Sequence, residues 1–396
     1  MARILVLDGH SAAALAFTRS AGRAGHWVAV GANDGLFAAA KLSRYCQSSF
    51  DYPPSTDDAD AFVNTIREFA RNHSIDLVVP ISDWTVQPLS EQRQSFHNLC
   101  RIALPPQDAV VAASDKYRTV ELAGSLGIAV PRTWLIKNVA DLTALPELPY
   151  PIVVKDRFSV RWTKGKALFG TVAYAYQRDD LTQQVSEHLE RAGDVLVQEF
   201  VFGTGIGYSF FVASDHTYLP FAWQRIREVD PRGSASSCRK SIALEETLRT
   251  LSDRLIRALG FEGIAMVEYK RLQNGSAVLM EVNGRPWGSI GLPIASGIDY
   301  PRYLIEWWLS GSLPPNTLEY RDEITCRRLV GELTHLSNLR RGKPQNWPCE
   351  YPDFWSTVAK VAIPWYPGMH YDDVWFSDPQ PGLQQIKNWF QIRRAK

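Results

Sequence analysis

One dipeptide constrains this chain more than any other feature: Asn274-Gly275, set between the apolar runs 263–270 and 277–283. Asn-Gly between two such runs is the strongest short-range hairpin signal, because both residues tolerate the positive φ of a tight turn. A two-residue turn pairs Gln273 with Ser276 and, counting back along the ladder, sets Glu268 directly opposite Glu281. Like charges facing one another destabilise a ladder, and apolar neighbours lower the local dielectric and deepen the repulsion. Side-chain alternation puts Asn283 on the face of Glu281. Three oxygen donors on one face, two of them anionic, suit a hard cation such as Mg²⁺, which completes its shell with phosphate and water oxygens. The alternative is an exposed hairpin carrying two solvated glutamates. The next loop, Gly284 to Gly288, presents Arg285 just past this face, a guanidinium suited to phosphate.

Composition narrows the function classes. Lys plus Arg is 43 against 42 for Asp plus Glu, a net charge of +1, which argues against nucleic acid or an acidic membrane as the main partner. The longest uncharged stretch, Phe200 to Ser214, is shorter than the roughly 20 apolar residues of a membrane span and holds glycines, so no stable membrane insertion is expected. No signal peptide is visible, since Asp8 interrupts the first apolar run. Five scattered cysteines without a CxxC pair fit a reducing cytoplasm and neither a disulfide framework nor a zinc cage.

The 396 residues suggest two to three domains. Residues 1–110 read as a parallel α/β domain: strand 4–7, helix 12–24, strand 27–30, helix 58–72 and strand 76–80. Its first turn has only Gly9 of the G-x-G-x-x-G fingerprint, so a dinucleotide is not expected there. Residues 111–202 hold a helix from Asp115 to Gly127, the strand Ile152 to Lys155, a basic loop, a charged helix 179–191 and the strand Val195 to Val201. Residues 203–310 contain the hairpin. The last part, 311–396, is rich in Pro and Trp; seven of the thirteen tryptophans lie from Trp307 onward.

The order Lys116, Ile152 to Lys155, Gln198-Glu199-Phe200-Val201, Glu268, then Glu281-x-Asn283-x-Arg285 resembles the ATP-grasp superfamily. More narrowly it is similar to stand-alone carboxylate–amine ligases related to the carbamoyl-phosphate synthase large chain. The resemblance covers roughly residues 1 to 310. It implies an ATP-grasp fold of α/β and α+β parts, with an N-terminal Rossmann-like domain and a Trp-rich C-terminal extension. It implies that ATP lies between two lobes, with Lys116 and Lys155 on its phosphates and Gln198, Glu199, Phe200 and Val201 at the adenine. Glu268, Glu281 and Asn283 would hold Mg²⁺, with Mn²⁺ as the alternative, and Arg285 and Lys155 would act on the transferring phosphoryl group. Arg157, Arg161, Lys164 and Lys166 fall where the family has a lid over the phosphates. The acyl substrate would lie along 225–240, at Arg225, Arg227, Ser236, Ser237 and Arg239. A solvated basic loop is the alternative there.

The implied reaction forms an acyl phosphate from a small-molecule carboxylate and then an amide with an amine, releasing ADP and phosphate. Two other readings stay open: the same cleft serving bicarbonate or a thiol, and a nucleotide-binding protein without catalysis. The late tryptophans, Trp347, Trp355, Trp365, Trp375 and Trp389, pack on the body, form a homodimer contact or stack on an acceptor.

Overall fold

The computed structural model describes residues 1–163, 166–214, 216–315 and 319–394. The first domain is a five-stranded, all-parallel sheet. Its order is Ser48–Tyr52, Trp27–Asn33, Arg3–Val6, Leu77–Val79 and Arg101–Ile102. The three central strands are apolar and largely buried because helices cover both faces. Ser11 caps helix Ala12–Arg23 by accepting from the Ala14 N–H, and Asp58 caps Ala59–Asn72 by accepting from that of Ala61. At the first turn Gly9 is required by close approach: a Cβ there would lie 2.6 Å from Val30 Cγ1.

Residues 116–202 build a four-stranded antiparallel sheet ordered Val172–Ala175, Ile152–Asp156, Val195–Glu199 and Thr133–Ile136, backed by helix Arg178–Ala192. The second lobe is a seven-stranded sheet. From one edge it runs Ala277–Asn283, Gly263–Arg271, Thr204–Ala213, His216–Glu228 and Ser236–Ile242. Thr325–Arg327 and Met369–Tyr371 complete it, so part of the 311–396 stretch is sheet continuous with this lobe.

The hairpin reaches the expected pairing by an unexpected route. Leu272 pairs with Ser276, which makes the loop three residues long, with Gly275 at φ +85°. That register would put Glu281 on the wrong face. A bulge at Met280 then inserts one residue, and Glu268 stands opposite Glu281 after all. The 225–240 stretch is likewise two paired strands rather than a solvated loop.

The C-terminal segment is pinned to the first domain by a buried ion pair. Arg19 Nε lies 2.9 Å from Asp378 Oδ2, both side chains 1% exposed, and Asp378 also accepts from Ser43 Oγ and the Arg44 N–H. Among the described residues no helix is long and apolar enough to cross a membrane.

Breaking a buried pair strands a charge, at a cost of about 3–5 kcal/mol. Asp378→Ala should therefore lose about that much in urea unfolding. Lys41→Ala, which breaks a pair with the half-exposed Asp51, should lose less than about 1 kcal/mol.

Candidate active site

A cleft of about 800 Å³ opens between the two lobes. Its floor carries Glu268, Glu281 and Asn283; its roof carries Lys155 and the segment Gln198 to Val201; Lys116 lies on its wall. The Met280 bulge and strand pairing place the first three. Lys155 sits on the central strand of the four-stranded sheet, next to Leu196 across the ladder, and is 8% exposed. Lys116 opens helix Lys116–Ser125, which Asp115 caps through the N–H groups of Tyr117 and Arg118.

The electrostatics of this group are unbalanced. Burial pushes the Glu268 carboxyl up to about 7; Arg225 opposes the rise, while Glu281 and Glu228 add to it. Burial would raise Glu281 too, but the Asn283 amide (2.9 Å), Lys116, Arg225 and Lys155 more than offset it and hold it below the usual range. Lys155 is depressed to about 8, by burial first and then by Lys116, so it keeps its proton at neutral pH. Lys116 is lowered by burial as well. Neither lysine has a carboxylate within ion-pair distance among the described residues.

Arg225 hydrogen-bonds Glu268, lies 3.0 Å from Glu228 and donates to the Ser234 carbonyl at 2.7 Å. A guanidinium thus occupies Glu268 as a cation would. Two facing carboxylates, one with a raised pKa, plus an amide, form a donor set that fits a hard divalent ion. Among the described residues no group of three or more His, Cys, Asp or Glu is placed to hold a metal ion. Arg285 reaches across to the first domain, with Nε 2.9 Å from Asp83 Oδ2.

Several expected ligands lie elsewhere. Arg227 is spent on Glu332 at 2.6 Å. Ser237 is fully buried beside the same carboxylate. Arg239 is buried under the 289–291 loop, 2.6 Å from Asp372 and donating to the Ser289 carbonyl. These three substrate assignments are corrected: the basic charge already has internal partners, and only Arg225 and Ser236 of that set line the cleft. The lid expectation changes too. Arg157 is held by Asp115 at 2.6 Å and Asp194 at 2.9 Å, and Arg161 by the Ala192 carbonyl. Lys164 lies outside the described residues, and the Lys166 side chain is likewise not described.

At the other end Gln198 is buried and donates to Thr133 Oγ1 at 2.8 Å. The Glu199 carboxylate is bound by Arg132 at 3.1 Å, and the Glu199 N–H donates to the Arg132 carbonyl at 2.9 Å. Phe200 packs edge-on against Tyr174, and Trp347 closes on both rings at 5.5 and 5.4 Å. The sequence reading missed Lys270, which also lines the cleft; its position two residues after Glu268 carried that signal. It also missed Asp83 and Arg328, which come from distant segments and left none.

Comparison with known proteins agrees with this architecture. The family described as "ATP-grasp in the biosynthetic pathway with Ter operon" matches residues 194–329. A D-alanine–D-alanine ligase of Stutzerimonas stutzeri is 29% identical over 194 residues, 45% of this chain and 57% of the relative. The vancomycin/teicoplanin A-type resistance protein VanA of Enterococcus faecium is 27% identical over 187 residues, 43% of this chain and 52% of the relative. The chain thus spans a little over half the length of these curated relatives. Among solved structures, the L-amino acid ligase of Bacillus licheniformis superposes with a TM-score of 0.64 at 17% identity, covering 82% of this chain and 78% of that one. N5-carboxyaminoimidazole synthetase of Staphylococcus aureus gives 0.63 at 16% identity, covering 86% and 84%. The chain thus shares its fold with these ATP-grasp structures, and its residues 194–329 match an ATP-grasp family in sequence.

Proposed function

We propose that the chain is an ATP-dependent ligase that activates a substrate carboxylate as an acyl phosphate and joins it to an amine, releasing ADP and phosphate. One observation carries this reading: Glu268, Glu281 and Asn283 share a cleft with the buried, ion-pair-free Lys155 and with Lys116. The curated relatives that match are a D-alanine–D-alanine ligase and VanA, and a ligase of L-amino acids shares the fold. Amino acids or similar small molecules are therefore the proposed acid and amine. A reducing, cytoplasmic setting suits the five free cysteines.

The residues divide the work by charge. Lys155 and Lys116 receive the phosphates of ATP, and the backbone of Glu199 to Val201 takes the base. Glu268, Glu281 and Asn283 would hold Mg²⁺, or Mn²⁺ with the same oxygen preference, which would supply positive charge to offset that of the phosphates. A substrate carboxylate oxygen attacks the γ-phosphorus as its bond to ADP breaks. Arg285, fixed by Asp83, and Arg225 stabilise the anion that is formed. The amine nitrogen then attacks the acyl carbon, phosphate leaves, and the nitrogen loses its proton. The protein positions and stabilises charge, so no enzyme nucleophile is needed.

Glu281→Ala and Lys155→Ala should each reduce substrate-dependent ADP release by at least about 100-fold. Full turnover by a folded Glu281→Ala protein would remove the metal assignment.

The raised Glu268 carboxyl gives a second test. Its folded pKa, about 7, lies above the ordinary 4.5, so the folded protein binds more protons than the unfolded chain between those values. Stability without divalent ions should fall as pH rises from about 4.5 to 7. Glu268→Gln should flatten that slope in thermal unfolding. Adding Mg²⁺ at pH 8 should raise the wild-type midpoint and leave that of Glu268→Gln much less changed.

A further inference from the structure

A second hollow, of about 590 Å³, lies on the far side of the loop that follows the metal face. Gly288 lines both this hollow and the cleft. Helix Ala12–Arg23 supplies one wall through Ala12 and Ala16, and helix Gly291–Ser296 a second through Ile294 and Ala295. The C-terminal segment closes it with Trp365, Met369, Val374, Trp375 and Phe376.

Its lining is mainly apolar, with Arg23 and His370 as its basic side chains. The one carboxylate on its wall, Asp372, is already bound by Arg239 at 2.6 Å and by the Cys326 thiol at 3.1 Å. The rim is open aromatic surface: Trp365 is 63% exposed and Phe376 fully exposed. Large exposed aromatics around a concave apolar wall mark a binding site rather than ordinary surface. Alanine and glycine on the inner walls leave the space for a bulky group.

We propose that this hollow is the specificity pocket for a bulky apolar side group carried by one of the two ligase substrates. The proposal rests on the ligase reading above and adds the substrate class. The substrate's reacting end would lie in the cleft near Arg285, and its side group would pass Gly288 into the hollow.

The test is calorimetric titration of the protein with Mg²⁺ and ADP present. Two probe pairs separate the two substrates: N-acetyl-L-phenylalanine against N-acetylglycine for the acid, and L-phenylalaninamide against glycinamide for the amine. In one pair the ring-bearing probe should bind at least about tenfold tighter, and that pair names the substrate. Ala16→Trp, which fills the hollow, should abolish the preference. Phe376→Ser, at a fully exposed position, should weaken it about threefold and decides the matter if Ala16→Trp does not fold. No ring preference in either pair, or a preference unchanged in the folded variants, would overturn the proposal. A ring preference without ADP release from any acid–amine pair would instead overturn the ligase reading and leave the pocket standing.

Discussion

Glu268 and Glu281 face one another on a largely buried strand pair, and their repulsion has to be met by charge brought from elsewhere in the chain. Coulomb energies grow several-fold when the effective dielectric falls below that of water. The compensating groups come from every part of the fold. Arg225 is on the strand next but one to that of Glu268, Lys155 on the roof of the other lobe, Lys116 at a helix start, and Arg285 is tied back to Asp83 of the first domain. Each lobe owes its placement to ordinary packing, yet the lobes meet where the charges must.

The C-terminal segment makes that meeting durable. Asp378 binds Arg19 on the first domain, and Asp372 binds Arg239 on the second lobe. Met369–Tyr371 meanwhile extends the second-lobe sheet. Trp347 joins the Tyr174 strand of the first lobe to Phe200 at the hinge. The late tryptophans therefore have distinct tasks. Trp347 is buried, Trp375 lies against Arg19, and Trp355 and Trp365 face solvent.

Local pattern was legible where the cause was local. The parallel strands, the capped helices and the hairpin itself all follow from periodicity and turn chemistry. Even there, the Glu268–Glu281 pair arises from a longer loop and a compensating bulge that no residue type announces. Long-range partners were not legible. Arg227 and Arg239 looked like anion ligands because Glu332 and Asp372, more than 100 residues away in sequence, are invisible in a linear reading. Arg157 was likewise claimed by Asp115 and Asp194. An arginine cluster shows only that anions are needed, and whether the protein supplies them itself depends on tertiary structure.

The same distinction explains which charges remain for a ligand. Once Arg227, Arg239, Arg157 and Arg285 have their carboxylates, the cleft is left with two opposite deficits. Glu268, held up near 7 by burial and by Glu281 and Glu228, is only partly compensated by Arg225, and Lys155, held down near 8, lacks an anion. Supplying either charge alone would worsen the other deficit: a bare metal ion would repel the lysines, and a bare polyphosphate would repel the glutamates. A divalent metal–polyphosphate carries both charges in one body. The buried acid and the buried base would thus favour the pair together, which is the physical basis for the metal–nucleotide reading proposed for this cleft.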